Sequence, residues 1–447
     1  MPSHATAAPD RVQQLCTLAC SRIAAGDYDG ARTYLLAARA AAGNDPSPTL
    51  VRLLADLTAQ LESFANGVTL MERALEGFRL AEDRQGEVMA AADLAALLQR
   101  QGDLGRARTL IEWALTHLDS DNVSQRARLL NIAATIASFQ GRLNDALVLL
   151  TEARSLAEGR LASWIALNMA AALDNLRRHA EAEQLLDQAA LLAVPDDIYT
   201  SPMLAYARTW HALVQGKYAT AYHACQAALR RMAPQQHPIV FFPMVATLGV
   251  LVREMGDVPR SEALLDQALR EARADRATEI GIFWHRAFLA RARGDDQTAQ
   301  HWLCQALYTM QVSGYGTSLL WQPQRFVDLC VWSLERDIEG VHAAWLLQTS
   351  LAPWCAPGWS LIGHTEAQHL GSAAPDRLKD LTNRERDVLR LVAEGLRDRE
   401  IAARLHVSVR TVQNHIQRCY EKLGVHHRTA VARLWLERGA PSHDVAE

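Results

Sequence analysis

The chain has 447 residues, is dominated by alanine, leucine and arginine, and carries a formal net charge of −4, which allows two or more domains and exceeds one compact helical domain. Its seven cysteines are scattered, with neither a CxxC pair nor a disulfide framework, so a reduced, cytoplasmic protein is expected. The N-terminus MPSHATAAPD lacks the basic and apolar pattern of a signal sequence, and no apolar run reaches membrane-spanning length, so no membrane partner is expected.

There are three lysines, Lys217, Lys379 and Lys422, followed by Tyr218, Asp380 and Leu423. A phosphate-binding loop of the GxxxxGK[ST] kind needs Ser or Thr after its lysine, so that loop is excluded. Cys16 and Cys20 stand one helical turn apart and read as small buried thiols rather than metal ligands. HExxH and GxSxG motifs are missing, the 16 histidines are dispersed, and no catalytic constellation, metal site or cofactor is expected.

From the N-terminus to about residue 310 the chain repeats. GDYDGARTYLLAA starts at Gly26, GDLGRARTLIEWA at Gly102, GRLNDALVLLTEA at Gly141 and GKYATAYHACQAA at Gly216. In this frame an apolar residue follows two positions after glycine, a small one five after and alanine twelve after: Leu104, Ala107 and Ala114 follow Gly102. Gly256 and Gly294 open further copies, the latter with Asp296 in the apolar place, and weaker ones start at Glu62 and Arg177. The eight starts are spaced by about 38 residues, which predicts helix, turn and second helix stacked into a tetratricopeptide-like α-solenoid.

Such an array has a concave face suited to a small molecule, peptide or protein. Candidates on the first helix of each hairpin are Trp164 and Asn168, Tyr206 and Trp210, and Trp284 and His285. Aromatic residues at helical spacing are more often core, whereas Asn168, an amide in an apolar helix, needs a partner. The insert APQQHPIVFFP, from Ala233 to Pro243, breaks the frame with three prolines and reads as a lid or a long connection.

Beyond residue 310 the frame fades and Trp321, Trp332, Trp345, Trp354 and Trp359 gather. Residues 325 to 349 read as an irregular helical cap closing the repeat domain, 1–349, and residues 350 to 376 as a linker rich in Pro, Gly and Ser.

Residues 377–440 form the last domain. Thr382 with Glu385 is a capping box that starts a helix ending at Gly395, and Asp398 caps a short second one carrying Ile401 and Leu405. From Ser408 to Gly424 a third helix has two faces, an apolar stripe of Val412, Ile416, Cys419, Tyr420 and Leu423 and a polar stripe of Arg410, Gln413, Asn414 and Gln417. Glutamine and asparagine pair bidentately with adenine in the major groove, and Arg410, Thr411, Arg418, Lys422 and Arg428 suit phosphate oxygens. Residues 377–438 hold 14 Lys and Arg against 8 Asp and Glu, a net +6 on a chain of −4, leaving −10 elsewhere. The helix pattern reads as a helix-turn-helix whose third helix meets double-stranded DNA, and a basic terminal module on an acidic body is the footprint expected when one part binds nucleic acid and the other does not.

This stretch resembles the LuxR-type DNA-binding domain of bacterial transcription regulators through LTNRERDVLRLVAEGL, EIAARL, SVRTVQNH and KLGV. The resemblance implies four helices, base contacts from Gln413, Asn414 and Gln417, phosphate contacts around Ser408, Thr411, Lys422 and Arg428, and dimerisation through the fourth helix near Val431 and Trp435. The family often has lysine where Gln413 stands, so a different base and a weaker salt dependence are expected here. The repeats resemble those of MalT-like regulators, without the ATPase module that precedes them there. The expectation is an all-α bacterial transcription regulator, a homodimer on DNA, whose repeats sense a signal and control the reader; RNA polymerase is a further candidate partner. The alternative is a repeat-based adaptor whose DNA affinity serves to localise it.

Overall fold

The structure, a computed structural model, describes residues 7–25, 27–43, 45–192, 200–234, 238–271, 275–317, 322–336, 338–355, 381–393, 401–402, 404–405 and 407–423. Every regular element among them is helical. Two compact units divide between Pro357 and Gly358.

Among the described residues the first unit has eight helix hairpins. They are α1 (Ala7–Ala24) with α2 (Tyr28–Ala42), α3 (Pro48–Leu61) with α4 (Phe64–Leu80), α5 (Arg84–Gln101) with α6 (Leu104–His117), and α7 (Val123–Phe139) with α8 (Leu143–Leu156). Then come α9 (Gly159–Asn175) with α10 (His179–Leu192), α11 (Thr200–Val214) with α12 (Tyr218–Leu229), α13 (Pro238–Glu254) with α14 (Val258–Glu271), and α15 (Arg276–Ala292) with α16 (Asp296–Ser313). Each frame start among the described residues falls in the turn of one hairpin. Gly102, Gly141, Gly216, Gly256 and Gly294 all have positive φ, the left-handed conformation that ends a helix and that a side chain resists. At the fifth hairpin Arg177 takes the same conformation, φ 62°, without being glycine.

The small residues of the frame sit where the paired helices cross. Ala31, Ala38, Ala107, Ala114, Ala146, Ala153, Ala182, Ala189, Ala299 and Ala306 are all 0% exposed. At Gly67 an added Cβ would lie 2.5 Å from the Ala59 Cβ, so α3 and α4 touch backbone to backbone. Side-chain caps start several helices: Asp27, Asp83, Asp103, Asn122 and Asp295 each accept from a backbone amide three residues on.

Two corrections concern the irregular parts. The expected insert 233–243 is largely the beginning of α13, which runs from Pro238 with Pro243 inside it. Pro238 stands at the helix start, where a missing N–H has no intrahelical carbonyl to meet, whereas Pro243 lies inside the helix and removes one of its i→i−4 bonds. Of the linker expected at 350–376, residues 350–355 are described and the rest lie outside the described residues. After α17 (Pro323–Glu335) and α18 (Gly340–Gln348), a 3₁₀ turn at Ala352–Trp354 packs onto the unit, with Leu351 at 0% and Trp354 at 8% exposure. Prolines and glycines suggested a linker, but the apolar bulk of Leu351 and Trp354 anchors its first residues.

The unit also closes on itself. Carbonyls near the C-termini of α5, α7 and α9, which lack intrahelical donors, are reached from far along the chain. The Tyr315 hydroxyl donates to Gln99 O at 2.7 Å, the Gly316 and Thr317 amides to Phe139 O at 2.6 and 3.0 Å, and Trp354 Nε1 to Asn175 O at 3.0 Å. Arg276 Nε reaches Gln101 O at 3.4 Å.

The second unit contributes α19 (Asn383–Ala393) and α20 (Val409–Leu423), with helical turns at Ile401 and Ala402 between them.

Candidate nucleic-acid interface

The second unit is organised by a small apolar core. Val388, Leu391 and Val392 of α19, Ile401 and Ala402, and Val412 and Ile416 of α20 pack together, with Leu405 and Val407 against them. The predicted capping box forms: the Thr382 amide donates to Glu385 Oε2 at 2.8 Å, and the Glu385 amide to Thr382 Oγ1 at 3.3 Å. Arg384 Nη2 donates to the Leu405 carbonyl at 2.7 Å, tying α19 to the turn that precedes α20.

Ser408 caps α20, its Oγ accepting from the Thr411 amide at 3.0 Å and lying 2.7 Å from Thr411 Oγ1. With Val412 and Cys419 fully buried and Ile416 nearly so, the rotation of α20 is fixed and Ser408, Arg410, Gln413 and Arg418 are exposed. Thr411 is half-buried. Asn414 and Gln417 belong to α20 by position, but their side chains lie outside the described residues, as do Arg428, Val431 and Trp435. Burial pushes the Cys419 thiol up to about 12, so it acts as a small apolar group.

Lys422 differs from the exposed arginines. Its Nζ forms an ion pair with Glu385 Oε2 at 2.8 Å. Burial alone would push the Glu385 carboxyl up, but the Lys422 ammonium and the Thr382 amide and hydroxyl together hold it below the usual glutamate value.

In the repeats, Asn168 finds the partner it needs in Asn131, whose Oδ1 accepts from Nδ2 at 2.9 Å. Trp164 and Tyr206 are half-buried, and the Trp164 indole N–H has no partner among the described residues. Trp284 and His285, expected on the groove, are 0% exposed: Trp284 stacks on Phe326 at 4.5 Å and His285 Nδ1 lies 2.7 Å from Arg253 Nη1. Trp210 is 7% exposed. Trp284 and His285 are core because Phe326 of α17 packs against both rings.

Residues 379–435 match the family model described as bacterial regulatory proteins, luxR family. The C-terminal module is a LuxR-type helix-turn-helix domain. Within and around this LuxR-type domain the chain is 45% identical over 78 residues to the response regulator Rre1 of Synechocystis, covering 17% of this chain and 33% of that protein. It is 41% identical over 117 residues to the DNA-binding transcriptional activator DevR/DosR of Mycobacterium tuberculosis, covering 24% of this chain and 52% of that one. The chain spans from 7 to 52% of the length of the curated relatives it matches. A crystal structure of a Rap protein complexed with competence and sporulation factor superposes with a TM-score of 0.51 at 12% identity, covering 77% of this chain and 98% of that one. That likeness shows a shared helical-repeat fold.

Reading by residue type missed the Glu385–Lys422 pair of the LuxR-type domain, because a lysine at a helix end in a basic module looks like a phosphate ligand. It also missed the polar groups inside the first helices of the repeats. Asp174, 1% exposed, has Oδ1 2.9 Å from both His179 Nδ1 and His211 Nδ1. The available signal was an aspartate inside an Ala/Leu run, as in LADLTA at Asp56, AADLAA at Asp93 and AALDN at Asp174.

Proposed function

We propose that the chain is a sequence-specific DNA-binding transcription regulator of the cytoplasm, without enzymatic activity of its own, whose α20 lies in the major groove. The observation that carries this reading is the fixed rotation of α20: its apolar face is locked into the core while Arg410, Gln413 and Arg418 face solvent. Gln413, Asn414 and Gln417 read base edges, and Ser408, Arg410, Thr411, Arg418 and Arg428 meet phosphates, with Lys422 supporting the fold instead. Two copies bind two half-sites, joined near Val431 and Trp435, because one such helix contacts too few base pairs for usable specificity.

In this reading residues 1–355 sense a small molecule, peptide or protein, and residues 356–376 tether them to the LuxR-type domain. The Rap protein of like fold was solved with competence and sporulation factor bound, which supports a binding role for such repeats. A signal acts only if it favours one arrangement of the protein over another.

The test uses the full chain at fixed salt, on a site selected from genomic fragments and on random DNA. Gln413→Ala should lose roughly 1 to 3 kcal/mol on the selected site and little on random DNA. Equal losses on both would overturn the base-reading role and favour an adaptor that uses DNA for localisation.

A further inference from the structure

Neighbouring first helices pack against one another along the repeats, α5 with α7, α7 with α9 and α9 with α11, more closely than neighbouring second helices do, so the first helices form the inner row of the array. Polar side chains that DNA reading does not use bridge this row. Asp93 of α5 is held by Arg52 of α3 at 2.5 Å and by Arg128 of α7. Thr135 Oγ1 of α7 donates to Gln99 Oε1 of α5 at 2.9 Å, and His211 Nδ1 of α11 lies 2.9 Å from Asp174 Oδ1 of α9.

The bridge between α7 and α9 differs, because two neutral amides make it. Asn168 Nδ2 donates to Asn131 Oδ1 at 2.9 Å, which leaves Asn131 Nδ2 as a donor and Asn168 Oδ1 as an acceptor. Exchanging N and O in both amides leaves the same two functions. Among the described residues neither atom makes a further hydrogen bond, and neither is sealed from solvent. On α9, Asn168 belongs to a stripe at helical spacing, Trp164, Asn168, Ala171 and Asn175, all half-buried. The Trp164 indole N–H and Asn175 Oδ1, at the two ends of this stripe, are buried without a hydrogen-bond partner among the described residues. The stripe is about 16 Å long at a rise of about 1.5 Å per residue, with the small Ala171 between the two amides.

Polar groups in such positions are ordinarily satisfied, so unfilled donors at Trp164 and Asn131 and unfilled acceptors at Asn168 and Asn175 on one seam point to a ligand. All four groups are uncharged, and they mix donors with acceptors. A carboxylate would meet two acceptors among them and an ammonium two donors, so the ligand groups they suit are neutral. A donor and an acceptor side by side match the edge of an extended chain, where the N–H and C=O of one residue point the same way and exchange both bonds with a partner. A helix offers no such edge, since its main-chain groups bond one another.

We propose that the seam between α7 and α9 binds a peptide segment in extended conformation by its main chain, one residue placing its N–H on Asn168 Oδ1 and its C=O on Asn131 Nδ2. The inference rests on the sensing role given to the repeats and deepens it by naming the partner class. Main-chain bonds supply affinity for any sequence that can lie flat there, and the side chains that alternate away from the gripped edge supply selectivity.

The experiment selects binders of the full chain from phage-displayed random heptapeptides, each about 23 Å long when extended, and measures an enriched peptide by titration calorimetry. That peptide is then remade with one backbone amide N-methylated at a time. Methylation at one interior position should weaken binding roughly 10-fold or more, because it removes the N–H given to Asn168. Asn168→Ala should weaken the parent peptide by a similar factor, and methylation at that position should then add little. The methyl scan needs no variant, so a variant that fails to fold leaves the test intact. Absence of any enriched peptide, methylation tolerated at every position, or full losses from methylation in Asn168→Ala overturns the proposal. Peptide binding with the expected losses but unchanged DNA affinity would uphold the site and remove its link to the reader.

Discussion

Lys422 Nζ, at the end of α20, lies 2.8 Å from Oε2 of Glu385, 37 residues earlier, whose side chain is 3% exposed. The same oxygen accepts from the Thr382 amide and hydroxyl, so one carboxylate both starts α19 and holds the end of α20. Removing the ammonium leaves a buried carboxylate short of its main partner. Lys422→Met should therefore destabilise the second unit by about 1 to 3 kcal/mol, seen as faster hydrogen exchange at Val412 and Cys419. Unchanged exchange together with weaker DNA binding would instead make Lys422 a phosphate ligand.

Arg410 and Arg418 are exposed on α20, whereas Lys422 is committed to Glu385. Each phosphate contact releases condensed counterions, so Arg410→Ala or Arg418→Ala should weaken binding to selected and random DNA alike. Each should also reduce the slope of log K against log salt by about 1. A steeper dependence on DNA sequence than on salt would move the arginine to the base-reading group.

The imidazole of His342 on α18 stacks on Trp345 at 5.2 Å, and its Nε2 is buried without a partner among the described residues. Burial lowers its pKa to about 4, with Glu339 opposing. The folded unit thus resists a proton that the unfolded chain accepts at about 6.5. Stability from this group is complete above about pH 6.5 and is lost as pH falls towards 4, by up to about 3 kcal/mol. His342→Phe should flatten that part of the urea-unfolding profile relative to the parent, and parallel profiles would refute the assignment.

Trp354 anchors the end of the first unit through Nε1 to Asn175 O, with the Arg177 guanidinium 5.2 Å from its ring centroid and His179 at 6.3 Å. Trp354→Ala should lower unfolding free energy by about 3 to 5 kcal/mol. Trp354→Phe, which keeps a ring but loses the N–H, should fall between. A wild-type urea midpoint for Trp354→Ala would mean the segment is not anchored there.

The hairpins were legible because a close helix crossing needs a small residue at a fixed distance from the turn, and the turn favours glycine. That made Gly102, Ala107 and Ala114 readable from spacing alone. The two faces of α20 were legible for a related reason, since Val412, Ile416 and Cys419 must share one face if Arg410 and Gln413 share the other. Arg177 shows the limit of the glycine signal, as it holds the left-handed turn with a side chain while also contacting Trp354. Contacts such as Tyr315 to Gln99 were not legible, because no local pattern records which distant donor meets a helix-end carbonyl. The polar interior was hidden for the opposite reason: Asp56, Asp93 and Arg128 look like ordinary helix-surface charges until the hairpins curve around them.

The bonds from Tyr315, Gly316 and Trp354 to the ends of α5, α7 and α9 join segments about 180 to 220 positions apart. In an open array each hairpin leans only on its neighbours, so stability adds up locally and ends fray independently. Here hairpins three to five are clasped by the last part of the same unit, so melting should spread across the middle and the end together. A nascent chain cannot make the first of those bonds until residue 315 has emerged, nor the last until residue 354 has, which puts the slow, long-range steps of folding late in the synthesis of this unit.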